Sequence, residues 1–401
     1  MRCGASGPHV LNATRDLPLA TTITGSIPRP AWFDQNMGAR TFRQAMGDSR
    51  YREQYQDAVS AHIRDQERAG IDVVTDGDCR FDLDVGGQSW FLYPARHLEG
   101  FTGADYPPAP GYGSGRGTII FEAMESRVMP RCSGRIGRGE LQYAELWKVA
   151  QELTPRPVKF GTITPEVLGT SVANDHYEGY RELIMDLSDA IREELEEVAA
   201  AGCRAIQLEE PNVHLGRVRR RAGVEELDTG FFVDVFNNTV RGLRERTEVW
   251  CHTCWGSTAQ QSLFTEPQSY AGALEALDSL DVDVLTFECA SNGGIDLEAI
   301  GAGIGAPKKV AIGVVDHRNL QVESPEQVAA LIRRALAHIE PERLVVSSDC
   351  GFGREGMTRR IAFYKMVAIV RGTNIVRREL GLPGAECRAA DPAYAFGRRE
   401  G

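Results

Sequence analysis

Val249-Trp250-Cys251-His252-Thr253-Cys254 begins as an apolar, strand-like run and ends on a His-x-Cys pair. On an extended chain, residues two apart face the same side, so His252 and Cys254 present an imidazole and a thiol together while Cys251 points the other way. The same grammar, an apolar strand ending in a ligand-type side chain, recurs in Val282-Asp283-Val284-Leu285-Thr286-Phe287-Glu288 and in Leu344-Val345-Val346-Ser347-Ser348-Asp349-Cys350. Working outward, short apolar strands begin near Ala20, Ile71, Val158, Arg204, Glu248, Val282, Lys309 and Leu344. Helical patterns separate most of them. Tyr180 to Ala201 carries the stripe Leu183, Ile184, Leu187, Ile191, Leu195 and Val198 and stops at Gly202, while Ser324-Pro325-Glu326-Gln327 is a capped, proline-started helix beginning. Repeated βα units of this number predict an α/β fold, a (β/α)8 TIM barrel whose site residues sit at strand C-termini.

Between about residues 81 and 157 the repeat breaks. Gly86-Gly87, Pro107-Pro108, Pro110-Gly111, Gly113, Gly115 and Gly117 interrupt it, so this stretch reads as a long insertion after strand 2. Gly117 to Glu122 fits a strand of an accessory hairpin, and Glu140 to Leu153 a helix. Insertions of this length in a compact domain commonly form a lid or a pocket wall. The expected organisation is an N-terminal arm over 1–17, a catalytic barrel over 18–385 containing the 81–157 insertion, and a C-terminal tail over 386–401.

A chain of 401 residues and 44.1 kDa buries a large core without disulfides. Its net charge of -11 and pI near 5.4 disfavour nucleic acid and anionic membrane as partners and favour a small molecule. No apolar run approaches the about eighteen residues of a membrane span, and the N-terminus lacks a signal-peptide pattern, so a cytoplasmic location is expected. Nine cysteines without disulfide-like spacing read as reduced thiols. Cys203 and Cys289 fit small buried hydrophobes, and Cys251 a packed thiol.

If the three ligand-bearing strand ends converge, His252, Cys254, Glu288 and Cys350 make a four-ligand Zn2+ site of nitrogen, sulfur and carboxylate. Assembly from distant strands at the catalytic face of a barrel suggests a reactive metal. Two thiolates and a carboxylate would soften it as a Lewis acid, which suits capture of a thiol substrate as its thiolate at neutral pH.

Seven pieces in order resemble the C-terminal catalytic barrel of the cobalamin-independent methionine synthase family. They are Thr21-Thr22-Ile23-Thr24-Gly25-Ser26-Ile27-Pro28, Asp76-Gly77-Asp78, Gly161-Thr162-Ile163-Thr164, Ile206-Gln207-Leu208-Glu209-Glu210-Pro211, His252-Thr253-Cys254, Phe287-Glu288-Cys289-Ala290-Ser291 and Asp349-Cys350-Gly351. The match covers most of the chain but lacks the separate N-terminal barrel of the full-length synthases, so it implies a short, single-barrel member. The resemblance implies that His252, Cys254, Glu288 and Cys350 bind zinc and that Ser26, Asp78 and Glu209 hold the amino-acid end of homocysteine. It also implies that His317 acts as an acid near the leaving group. Asp78 stands where Glu is common and Glu209 where Asp is common. Leu168 falls near the place where folate-dependent members carry a Trp.

The function so implied is zinc-dependent methyl transfer to a thiol, homocysteine or a relative, from a methyl-folate or a methylcorrinoid donor. A corrinoid protein as partner and a homo-oligomer are both compatible with it. Two alternatives stand beside it. One is thiol addition to an epoxide or other electrophile, similar to the coenzyme M transferases, in which Arg29, Arg80 and Arg318 would anchor a sulfonate. The other is a non-catalytic zinc- or thiol-binding barrel.

Overall fold

The computed structural model describes residues 13–35, 37, 40–79, 89–102, 130–170, 172–209, 212–215, 228–255, 268–353 and 357–390. Its strands in chain order are β1 (Ala20–Thr21), β2 (Val74–Thr75), β3 (Glu99–Thr102), β4 (Arg131–Gly137), β5 (Val158–Ile163), β6 (Ala173–Asn174), β7 (Ala205–Glu209), β8 (Glu248–His252), β9 (Val284–Phe287), β10 (Lys309–Gly313) and β11 (Leu344–Ser347). Eight of them form one sheet in the order β1-β11-β10-β9-β8-β7-β5-β2, every pair parallel. The two ends of that order meet. The N–H groups of Asp72 and Val73, just before β2, donate to the Thr21 carbonyl of β1, and the Thr22 hydroxyl donates to the Val73 carbonyl. The expected barrel is therefore present, with strand ends somewhat shorter than their apolar runs suggest.

Strand parity decides what fills the interior. Ala20, Val73, Ala205, Trp250, Val284, Ala311 and Val345, with Ala13 from the arm, form a small buried cluster separate from the main core. Residues from seven of the eight strand segments fill this layer, and the bulk of Trp250 is accommodated among alanines and valines. The arm is anchored here. Thr14 donates through its N–H and hydroxyl to the Glu248 carboxylate, which also accepts from the Trp250 indole N–H. Cys251, next to Trp250 in sequence, instead joins the larger core outside the barrel wall, as strand alternation requires.

The outer layer follows its sequence patterns. The helix Tyr180–Ala200 buries the expected stripe. At Pro325–Leu336 the Ser324 side chain accepts from the Gln327 N–H while the Gln327 side chain accepts from the Ser324 N–H, a closed capping box. Helix Arg359–Glu379 packs along Pro325–Leu336 and sends Arg377 to Asp72 beside β1. No described helix is long and apolar enough to cross a membrane.

Within the stretch expected as an insertion, helices Ser89–His97 and Tyr143–Gln151 flank the antiparallel pair β3 and β4. The second helix corresponds to the one expected over Glu140 to Leu153. Its Trp147 indole donates to the Val158 carbonyl at the start of β5, which makes it the crossover between β2 and β5. β4 also pairs with β6, drawn from the loop after β5, to give a small sheet β3-β4-β6. The strand expected over Gly117 to Glu122 lies outside the described residues, as do Arg80 and Glu210.

Candidate metal centre

His252 ends β8 and Cys254 follows it two residues on, so both continue the inward parity set by Trp250. Cys350 follows β11, on the far side of β9 and β10 in the sheet order. The ligand atoms of His252, Cys254 and Cys350 nevertheless all lie within 4.8 Å of one another, and all three residues are buried. The two sulfurs are 3.9 Å apart. That is far beyond the ~2.05 Å of a disulfide. It is close to the separation of about 3.8 Å for two thiolates on one tetrahedral zinc at ~2.3 Å each.

The histidine is set up as a ligand. Its Nδ1 sits 2.7 Å from the Thr286 hydroxyl of β9, while its buried Nε2 has no hydrogen-bond partner among the described residues. Burial, reinforced by the Lys159 charge, pushes its pKa down to about 3, so the imidazole is neutral, as a metal ligand must be. His214, buried, lies with Nε2 2.6 Å from the Cys254 carbonyl and fixes the turn that carries the thiol. An orphaned imidazole nitrogen facing two converging thiols fits a soft divalent metal such as zinc.

Glu288 is at the right strand end but in a different engagement. Its carboxylate accepts from the Trp255 N–H at 3.1 Å, from the Ser291 hydroxyl at 2.5 Å and from both terminal nitrogens of Arg318. It is not one of the three residues whose ligand atoms converge.

On the other side of the barrel mouth, Ser26, Asp78 and Glu209 come together around one turn. A Cβ placed on Gly25 would lie 2.8 Å from Asp78 Oδ2 and 3.4 Å from Glu209 Oε1, and one on Gly161 would lie 2.9 Å from the same Glu209 oxygen. Both glycines leave room for the carboxylates. Asp78 takes a left-handed backbone, φ +54°, rare for a side-chain-bearing residue, and its N–H donates to Asp76. The Ser26 hydroxyl accepts from the Gly353 N–H and its carbonyl accepts from the Phe352 N–H, so this turn is fastened to the loop carrying Cys350.

Two further groups in the site have no role assigned to them from the sequence. Lys159, fully buried in β5, donates to the Ile23 carbonyl and to Gln207 Oε1, and its ammonium lies over the Trp250 ring at 4.5 Å. Gln207 in turn donates to Glu209 Oε1, so lysine, amide and carboxylate form a chain beneath the acidic turn. Burial pushes the Lys159 pKa down to about 7, with Glu209 and Asp78 opposing the shift. The only sequence signal is a lysine inside an otherwise apolar strand. Asp349, the neighbour of Cys350, accepts from the N–H groups of Cys289, Ala290 and Ser291 and so organises the loop that bears Glu288. Burial and the nearby Glu288 charge raise its pKa. Gly313 must be glycine to admit it, because a Cβ there would fall 2.0 Å from Asp349 Oδ1.

His317 is buried after β10, grouped with Asp316 and Asp349 within 4.8 Å. Its loop is held from behind, since Glu323 accepts from the Asp316 N–H and from the buried Lys365 ammonium. His176 is exposed and makes a ring contact with Tyr177.

The family model described as the catalytic domain of cobalamin-independent synthase matches residues 115–371. The chain belongs to the cobalamin-independent methionine synthase family. It is 28% identical over 366 residues to a methionine synthase of Saccharolobus islandicus, covering 91% of this chain and 97% of that one. A methionine synthase of Sulfurisphaera tokodaii is 27% identical over 381 residues, 94% and 98% of the two chains. Among solved structures, a B12-independent methionine synthase from Shewanella sp. W3-18-1, in complex with selenomethionine, shares the fold with a TM-score of 0.71. That likeness has 23% identity and covers 90% of this chain and 99% of that one. The chain thus covers nearly the full length of both of these methionine synthases. The family is one of methyltransferases.

Proposed function

We propose that the protein is a zinc-dependent methyltransferase that accepts homocysteine or a closely related amino-acid thiol and transfers a methyl group to its sulfur. The observation that carries this reading is the placement of two chemically distinct half-sites at one barrel mouth, tied together through Ser26 and the Cys350 loop. One half is the neutral imidazole and two thiols of His252, Cys254 and Cys350. The other is the acidic turn of Ser26, Asp78 and Glu209.

Zinc, when bound, supplies a Lewis acid that keeps a substrate sulfur ionised at neutral pH, where a free thiol of pKa ~8.5 is mostly protonated. The chain's own residues do the rest. Asp78 and Glu209 offer negative charge to a substrate ammonium, and the Lys159–Gln207 chain holds Glu209 in place from below. Burial of the mouth keeps the sulfur from water and strengthens each charge interaction there. His317, buried and grouped with Asp349 next to Cys350, is the residue assigned to deliver a proton toward the departing donor fragment. The methyl donor is a methyl-folate or a methylcorrinoid. Leu168, where folate-dependent members carry an aromatic ring, is buried in the short helix Pro165–Thr170, which supports the corrinoid side, with a corrinoid protein as the corresponding partner.

Two features separate this reading from thiol addition to an epoxide. Arg318 is engaged by Glu288, and Arg29 donates to the Cys79 carbonyl and lies over the Phe33 ring, so neither is set up to hold a sulfonate. The acidic turn suits a cation. The test is to incubate zinc-loaded protein with homocysteine and, separately, methyl-folate or methylcobalamin, and to score methionine by mass spectrometry. Methionine from either donor is expected; none from both would end the synthase reading. A homo-oligomer and a cytoplasmic setting are part of the proposal, and sizing chromatography and cell fractionation test them.

A further inference from the structure

The Glu288 carboxylate has no capacity left for a metal in its present state. A carboxylate offers about four lone-pair positions. Here Oε1 takes the Ser291 hydroxyl and one Arg318 nitrogen, while Oε2 takes the Trp255 N–H and the other Arg318 nitrogen. Ser291 and Trp255 are local partners that travel with the site, since one lies in the Glu288 loop and the other follows Cys254. Arg318 is different. It comes from the separate loop after β10, and it alone among these donors carries a charge that competes with a cation for the same oxygens. Its guanidinium is largely buried, so the pair is not one of the exposed contacts that contribute little.

The other three ligand-type atoms have already converged without Glu288. Resting on the metal-site reading above, we propose that Arg318 competes with the metal for Glu288, holding that carboxylate away from the fourth position beside His252, Cys254 and Cys350. While Arg318 keeps Glu288, the fourth position stays open to an incoming thiol. When Arg318 lets go, the carboxylate closes it. Arg318 is thus a positioning residue that sets metal affinity and the openness of the site, without itself touching metal or thiol.

The test is zinc affinity, measured by chelator competition, together with the visible spectrum of the cobalt-substituted protein. Four variants are compared with the parent: Arg318→Met, Glu288→Gln, the double variant, and Cys350→Ala. Arg318→Met is expected to bind zinc tenfold or more tightly than the parent and to change the cobalt spectrum before any thiol is added, because Glu288 is now free to ligate. Both effects should vanish in the Glu288→Gln background. That comparison separates competition for the carboxylate from simple removal of a nearby positive charge, which would tighten zinc binding in either background. No gain in Arg318→Met, or a gain that persists in the double variant, overturns the proposal. Should Arg318→Met fold poorly, Arg318→Lys keeps the charge but loses the two-nitrogen grip, and the same gain, smaller, is expected. Cys350→Ala is the reference: its loss of zinc upholds the metal site whatever Arg318 does, whereas unchanged zinc binding in it removes the metal site and this inference together.

Discussion

Gly351 sits against Ser26 so closely that a Cβ on the glycine would fall 2.2 Å from the Ser26 hydroxyl oxygen and 3.2 Å from its nitrogen. The contact joins the loop of Cys350, a proposed metal ligand, to the turn proposed to hold the substrate's amino-acid end, and it fixes their spacing. Gly351→Ala must push one of them away. The expected result is a fall of tenfold or more in kcat/KM for homocysteine with a circular dichroism spectrum like the parent's. Unchanged kinetics would mean that the spacing is not set here.

Thr286 orients His252 through Nδ1, leaving Nε2 as the atom proposed to coordinate the metal. Thr286→Val keeps the shape and removes the partner. Zinc affinity should drop by about 10- to 100-fold, the usual effect of losing such a supporting bond to a ligating histidine. Chelator competition measures it, and an affinity equal to the parent's would show that His252 is held by packing alone.

Glu209 shares the space around Gly25 with Asp78. If the two take a substrate ammonium, Glu209→Gln should lower kcat/KM for homocysteine by about 10- to 100-fold, mainly through KM, since a hydrogen bond to a charged group contributes about 1.5–3 kcal/mol. The same variant should treat 3-mercaptopropionate, a thiol without an amino group, as the parent does. Equal losses on both thiols would assign Glu209 a structural role.

Glu166, fully buried in the short helix after β5, has its carboxyl pushed up to about 8 by burial. The folded state therefore holds this proton more tightly than the unfolded chain, whose carboxyl titrates near the ordinary 4.5. The stability so contributed is present below about pH 4.5 and is lost as pH rises through about 8. Glu166→Gln should equal the parent near pH 4.5 and exceed it at pH 8.5 by an amount on the order of a few kcal/mol in chemical denaturation. A difference that does not change with pH would show that the carboxyl ionises without penalty.

Much of this arrangement is readable from the chain. Period-two runs ending in His252-Thr253-Cys254, Glu288 and Cys350 point to the barrel and its active face, because strand parity converts sequence spacing directly into direction. The stripe of Tyr180–Ala200 and the box at Ser324–Gln327 are likewise local and match their sequence patterns. The small sheet β3-β4-β6 is less visible, since β6 is two residues of polar loop that pair only because β4 lies beside them.

His252 and Cys254 were determined by sequence alone as a pair facing into the barrel, and so was the presence of Glu288 and Cys350 at later strand ends. Tertiary structure decided which of the four stand together. Cys350 closes on Cys254 to 3.9 Å across two intervening strands, while Glu288 is taken by an arginine 30 residues further along the chain. Local periodicity dictates where a side chain points. Which partner wins it depends on charges that only the closed barrel brings within reach.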